Sequence, residues 1–555
     1  MGSSTLDRKD PHPLPEIETI FVLLAAVAAL ATLANRIGVP YPILLVLGGL
    51  VLGFVPGLPR VELEPDVVFL LFLPPLLYVS AIFTSWRDFR TNLRKISLLA
   101  VALVLVTVCA VAAVAHWMVG LPWGAAFVLG AIVSPTDAVA ATAIAQRLGL
   151  PRRIVTVLEG ESLINDATGI VAYRIAVGAV VTGAFSLWQA GLQFVIGAVG
   201  GVTVGLAVGW FVVWARRHVS EEPNVQNTIS LLTPFAAYLL AEEPSHYLWG
   251  RLGLPGEFAF SGVLAVVAAG LYLARRVPYV VTAQARLQAY AFWELVIFLL
   301  NGLIFALIGL QLRSLVERLS ESEYQVATLV LYAVLISLTV ILVRFLWVFS
   351  ATYFPRWESR SLRLPIPLPS PRAATVIAWT GMRGVISLAA ALSLPLTVEG
   401  GAPFPGRDLI LFLTFAVILA TLVVQGLSLP ALIRGLEDDG TAEREEVQGR
   451  IEVAESALAR LEELAEEEWV REDTAERVRG IYNYRRNRFA ARLNGGEAEL
   501  EDRSAAYQRL LRELLRAQRQ TLMRLRDEGM ISDEAMHRIE HDLDLEESRL
   551  EVTST

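Results

Sequence analysis

The chain has 555 residues, of which 54% are hydrophobic and only 18% charged, with a formal net charge of -8 and a mean hydropathy of +0.52. That combination excludes an ordinary soluble globular protein and predicts an all-α polytopic membrane protein. A single cysteine, Cys109, excludes an internal disulfide or thiolate metal cluster, and the six scattered histidines have no zinc-site spacing.

A polar leader (1–15) without a signal-peptide layout precedes the first apolar segment, which is therefore read as a retained helix. About thirteen apolar segments follow, each long enough to cross the hydrocarbon core. Their approximate ends are 16–36, 40–56, 65–84, 95–119, 122–147, 154–183, 189–214, 226–241, 258–275, 289–312, 325–354, 372–395 and 408–434. Several exceed the need of a perpendicular helix, which predicts tilt. With the N-terminus outside, seventeen loop Lys and Arg residues fall on the inner side and five (Arg60, Arg251, Arg313, Arg318, Arg407) on the outer. This bias predicts an external N-terminus, an odd number of spans and a cytoplasmic C-terminal tail.

Ionisable groups at membrane depth are costly and mark function by default. Span five contains "GAIVSPTDAVAATAIAQ", where Pro135 removes a backbone donor and Thr136 and Asp137 supply a hydroxyl and a carboxylate at the predicted interruption. Such a break is tolerated only where it lines a cavity. Span six contains "LEGESLINDATGIVAY": Glu161 stacks under Asn165 and Ser162 under Asp166, each four apart, with Gly169 and Tyr173 continuing one stripe. Arg174, toward its outer end, and Glu294, near the inner end of span ten, are expected to snorkel to an interface. The glycine-rich "GAVGGVTVG" of span seven reads as helix packing, since no strand precedes it and no Lys-Ser/Thr follows.

Span eleven buries Arg344 among Val, Leu, Phe and Trp, and a guanidinium that cannot discharge itself needs a carboxylate, for which Glu161 is the candidate. In span twelve, "WTGMRGVISLAAALSLP", Gly381 and Gly384 flank Arg383 at a second predicted interruption, where the cation either bonds carbonyls of the broken helices or takes part in transport directly. Spans five and twelve are an odd number of spans apart and so run in opposite directions, the layout of an inverted repeat with a midplane site. At ~1.5 Å per residue, Asp137, Glu161, Asp166, Arg344 and Arg383 lie ~10–18 Å from the inner ends of their spans and can share one layer.

Once Glu161 is neutralised by Arg344, Asp137 and Asp166 have no obvious basic partner. Two close carboxylates in a partly dehydrated cavity disfavour joint ionisation and suit a shared proton or a small cation. With the Thr136 and Ser162 hydroxyls and freed carbonyls they form a hard ligand set for an alkali ion, not a transition metal.

After about residue 436 the composition turns to Glu, Arg, Leu and Ala, with apolar residues three and four apart. This predicts soluble amphipathic helices in a tail (436–555), broken at "LNGGEAE" and "RDEGMISDE", with Ser532 as a cap.

"SPTDAVAATAIAQRLGLP", "LEGESLINDATGIVAYRIAV", "RLGLPGEFAFSGVLAVVAAGL" and "GMRGVISLAAALSLP" resemble, in order over roughly 16–435, the monovalent cation/proton antiporters of the NhaP and sodium/proton exchanger type. The tail is not covered. The resemblance implies that Asp166 binds cation and proton alternately, with Asp137 as its companion in holding the alkali cation. Thr136 belongs to the interrupted segment beside the ion, and Ser162 matches a hydroxyl ligand. Asn165, where the electrogenic branch has Asp, implies electroneutral exchange. Glu161 and Arg344 match a structural ion pair, and Arg383 matches the Gly-x-Arg-Gly of the second interrupted helix, with Met382 where Leu is commoner.

The resemblance further implies exchange of sodium or another alkali cation for protons in pH homeostasis, a homodimer with a moving core, and residence in the plasma (inner) membrane. It implies no cofactor, no nucleic-acid partner and no enzyme activity. Potassium/proton exchange and a non-transporting sensor are the alternatives. An intramembrane aspartyl protease built on Asp137 and Asp166 is disfavoured, because Thr136-Asp137 and Asn165-Asp166 are neither Tyr-Asp nor Gly-x-Gly-Asp.

Overall fold

The computed structural model describes residues 14–55, 67–137, 150, 152–219, 222–251, 260–320, 325–353, 370–434, 441–493 and 497–554. The first thirteen leader residues, the distal half of span five (138–147), the stretch 252–259 and the loop bearing Arg356, Arg360 and Arg363 lie outside them. The chain divides into two compact units, Met1–Glu437 and Asp438–Thr555.

The first unit is helical. It comprises α1 (Leu14–Ile37), α2 (Tyr41–Gly53), α3 (Val68–Phe83), α4 (Leu93–Val119), α5 (Trp123–Val133), α6 (Arg152–Thr182), α7 (Leu187–His218) and α8 (Pro223–Arg251). It continues with α9 (Gly262–Val280), α10 (Ala283–Ser320), α11 (Val326–Tyr353), α12 (Pro371–Trp379), α13 (Val385–Leu392) and α14 (Arg407–Ile433). Among the described residues, seven helices are long and apolar enough to cross a membrane, and α2, α3, α5 and part of α1 are shorter apolar helices.

Local chemistry sets several ends. Ser186, Ser261 and Ser370 cap α7, α9 and α12 by accepting from the N–H three residues on, and Pro371 occupies the first turn of α12, where no N–H is needed. In α3 the helix widens by one residue over Val68–Phe72, directly before Pro74 and Pro75; proline cannot close the ordinary ladder there.

With lipid outside and no water to exclude between helices, close packing must come from small residues. Gly201 and Gly205 of α7 sit against the backbone of Ser261 and Ala265, so the glycine-rich run is a helix seam; a Cβ at either would collide. Gly49 and Gly309 do the same for α2 against α10.

Two large apolar clusters result. One joins α1, α2, α5 and α11–α14; the other joins α7, α8 and α9; α3, α4, α6 and α10 contribute to both.

The second unit holds α15 (Thr441–Leu464), α16 (Glu472–Leu493), α17 (Glu497–Asp527) and α18 (Asp533–Ser554). Leu515, Leu522, Met536 and Leu543 form the buried seam between α17 and α18, and Ser532 accepts from the Ala535 N–H at 3.2 Å to cap α18. The break between α15 and α16 (465–471) is one the sequence reading does not mark.

The α7–α9 seam carries a prediction. Gly205→Leu should lower stability by about 1–3 kcal/mol through overpacking, read as a fall in Tm of the solubilised protein. Gly191→Leu on the same helix, where a Cβ meets nothing within 4 Å, should leave Tm unchanged.

Candidate functional site

Helix α5 ends at Val133, and Ser134 to Asp137 run on without helical bonding. Opposite it, α12 stops at Trp379 and α13 starts at Val385. The near side of the first predicted interruption and both sides of the second are therefore present, and they meet.

The Asp137 N–H donates to the Met382 carbonyl at 2.8 Å, and the Val385 N–H donates to the Asp137 carboxylate at 3.4 Å. Val385 opens α13, so Asp137 sits at a helix N-terminus, where free N–H groups and the dipole favour negative charge. A Cβ on Gly384 would strike that carboxylate, which explains the glycine.

Arg383 is the reciprocal device. Its guanidinium donates to the Ser134 carbonyl at 2.7 Å, putting a cation at the C-terminus of α5. Its own N–H donates to the Thr421 hydroxyl at 3.1 Å, in the turn where α14 widens. Arg383 is 1% exposed and does not line the cavity described below. The geometry thus places it on a broken-helix carbonyl.

Arg344 on α11 donates from Nη2 to Glu161 Oε2 at 3.0 Å and from Nη1 to Glu161 Oε1, with both side chains 1% exposed. Its Nε and Nη2 also reach the Ile377 carbonyl near the end of α12, at 3.3 and 3.0 Å. A Cβ on Gly381 would block the guanidinium. Glu161 in turn accepts from the Thr136 hydroxyl at 2.9 Å, and that hydroxyl accepts from Asn165 Nδ2 at 2.5 Å. Ser162 donates to the Thr136 carbonyl at 3.2 Å. Arg344, Glu161, Thr136 and Asn165 are one chain tying α11, α6 and the α5 break together.

Beside this network lies a cavity of ≈ 80 Å³. Thr136, Asp137, Ser162, Asp166 and Glu159 line it, with Gly384 to Ser387 of α13 and Leu73, Leu76, Leu77 and Ser80 of α3 completing the wall. The volume holds several waters or a small ion with part of its shell, well below what a drug-sized organic ligand needs. Its polar side chains are carboxylates and hydroxyls only, a hard set suited to an alkali cation. Among the described residues no group of three or more His, Cys, Asp or Glu is placed to hold a metal ion.

The structure therefore brings Asp137, Asp166, Thr136 and Ser162 to one cavity and turns Asn165 away from it, onto the Thr136 hydroxyl. Glu159, Ser80 and Ser387 are additions that the sequence reading did not single out. Glu159 could have been found, since it lies seven residues before Asp166 on the same helical face. Arg174 does not snorkel alone: its Nη2 contacts both oxygens of Glu242 on α8 at 2.8 and 2.9 Å. Glu294 is exposed.

A profile described as "Sodium/hydrogen exchanger, transmembrane" matches residues 22–435. An uncharacterized Na(+)/H(+) exchanger of Mycobacterium tuberculosis is 37% identical over 536 residues, 96% of this chain and 95% of that one. A sodium, potassium, lithium and rubidium/H(+) antiporter of Bacillus pumilus is 37% identical over 425 residues, 74% of this chain and 60% of its own length. Among solved structures, a sodium proton antiporter from Methanocaldococcus jannaschii aligns with a TM-score of 0.58 at 20% identity, covering 76% of this chain and 98% of that one. The last is a likeness of fold.

Breaking the buried pair should be expensive. Glu161→Gln or Arg344→Met alone should cost about 3–5 kcal/mol, whereas replacing both by leucine should recover most of the loss. Denaturant unfolding of the solubilised protein reads both; equal losses in the single and double variants would contradict the pairing.

Proposed function

The chain belongs to the sodium/hydrogen exchanger family, and on that premise we propose how it exchanges a monovalent cation for protons: the two compete for Asp166. The observation that carries this reading is the cavity, in which Asp166 and Asp137 face one space with hydroxyls and no cationic side chain. Asp137 is the anion held by the N-terminus of α13, so Asp166 is the carboxylate free to change its occupant.

With Asp166 ionised, a cation binds among its oxygens, those of Asp137, and the Thr136 and Ser162 groups. Protonation of Asp166 removes one charge from the site and releases the ion. Loaded with either the cation or the proton, the site carries the same net charge. One exchanging carboxylate therefore moves one cation per proton, and Asn165, neutral and committed to Thr136, adds no second titrating charge. The ion is cargo, and the exchange needs no resident cofactor.

Sodium is the preferred cation in this reading. Potassium is the second reading, favoured by its place among the cations for which the Bacillus pumilus relative is named. We place thirteen crossings between residues 16 and 435, the N-terminus outside, the helical tail 436–555 in the cytoplasm, and the protein in the plasma membrane as a homodimer. The loop-charge bias supports the orientation, and the family resemblance supports the dimer.

Proteoliposomes with an internal pH dye and an imposed pH gradient test the mechanism. Adding sodium should release the gradient in the wild type, and Asp166→Asn should abolish that release while the protein stays folded. An imposed membrane potential should not change the initial rate. Full flux in Asp166→Asn, or no flux with sodium, potassium or lithium, would overturn the assignment.

A further inference from the structure

Helix α6 presents two stripes to two different sets of neighbours. Glu161, Asn165, Gly169 and Tyr173 are each four apart and bind the broken-helix side: Gly169 abuts the Pro135 ring, and the Tyr173 hydroxyl meets the Ser393 hydroxyl at 2.8 Å. The second stripe runs Glu159, Asp166, Ile170, Arg174 and lines two cavities, the first walled by α3, α13 and the α5 break, the second by α7, α8 and α9.

Two cavities lie along that second stripe. The first ends at Asp166. The second, of ≈ 30 Å³, begins one turn later at Ile170, and its polar lining is Arg174, Gln193, Tyr238, Glu242 and Ser261. Between them stand Ala167 and Ile170, 2% and 6% exposed, packed in one apolar cluster with Tyr238 and Val263. A single turn of helix, ~6 Å of rise, is thus all that separates Asp166 from polar groups on the side away from Glu159.

The Arg174–Glu242 pair spans the second cavity from α6 to α8, and Glu242 also accepts from the Gly262 N–H at the start of α9, at 3.4 Å. Its side chains are 41% and 17% exposed, against 1% for each partner of Glu161–Arg344. A partly hydrated pair is cheap to break and re-form, whereas a fully buried one is not.

We propose that the second cavity is the entrance to Asp166 from the outer face, and that Arg174–Glu242 is the latch holding it shut in this structure. The proposal rests on the exchange reading for its purpose. Opening separates α6 from α8, parts the ion pair, and draws Ile170 away from Val263 and Tyr238, so that the second cavity joins the space at Asp166. A cation entering there meets the Glu242 carboxylate first.

The test uses the full chain with Cys109→Ser and Gln193→Cys, reconstituted, and a membrane-impermeant cationic thiol reagent applied to each face separately. With the pair intact, labelling from the outer face should be slow. Arg174→Gln or Glu242→Gln should raise it about two- to fivefold, the scale of a partly exposed ion pair, and the swap Arg174→Glu with Glu242→Arg should restore slow labelling. Equal labelling with and without the pair, or acceleration only from the cytoplasmic face, would overturn the latch. Labelling needs no ion gradient, so it separates the two readings. Flux with indifferent labelling overturns the latch alone, and responsive labelling without flux supports the latch while the exchange reading fails.

Discussion

Unwound backbone at membrane depth leaves N–H and carbonyl groups that lipid cannot satisfy, and the site depends on how two such breaks satisfy each other. Asp137 N–H to Met382 carbonyl and Arg383 guanidinium to Ser134 carbonyl are bonds between the breaks, not within either helix. Each break also presents a charge to the other's helix end, the carboxylate to the N-terminus of α13 and the guanidinium to the C-terminus of α5. Together they hold Thr136 and Asp137 outside helical bonding, where a continuous helix would have hidden their carbonyl oxygens in its own ladder.

Among the described charges at the breaks and the cavity, Asp166 stands apart from those that another group engages. Glu161 has both oxygens engaged by Arg344 and one also by Thr136. Asp137 has its helix N-terminus, and Arg383 has its carbonyl. Asp166 is 5% exposed, on the cavity wall and next to Asp137. A group in that position must take a counter-charge from solution, either a proton or a metal cation, and the surrounding oxygens make both acceptable. The cavity offers oxygens and little room, which on the proposed reading suits a small, hard cation.

Much of this was legible in the sequence, for identifiable reasons. An arginine amid Val, Leu and Phe must find a carboxylate, so Arg344 with Glu161 could be paired across 183 residues by charge alone. Pro135 and the glycines around Arg383 marked both breaks, and the four-residue spacing in α6 gave the stripe from Glu161 to Tyr173. What stayed hidden was set by backbone or by packing. The partner of Asp137 is a main-chain N–H, which has no letter in the sequence. Glu242 lies at the end of an ordinary apolar span, so nothing local tied it to Arg174, and snorkelling was the simpler expectation. The tail's break at 465–471 contains neither Gly nor Pro, so the punctuation that exposed the other two breaks was missing.

The location of the cavity follows from how the apolar packing divides. Leu73 and Leu77 of α3 belong with α7, α8 and α9, while the α13 residues Val385 and Leu388 belong with α5 and α14. The cavity wall takes residues from both sets. Within a close-packed cluster, sliding costs contacts everywhere at once; along a seam between two clusters, most contacts are kept. Helix α6 crosses that seam, tied by a network of fully buried bonds to one side and by a single half-exposed ion pair and an apolar turn to the other. The asymmetry decides which contacts can change during a transport cycle: α6 stays with the broken helices, and its bonds to α8 are the ones that give way.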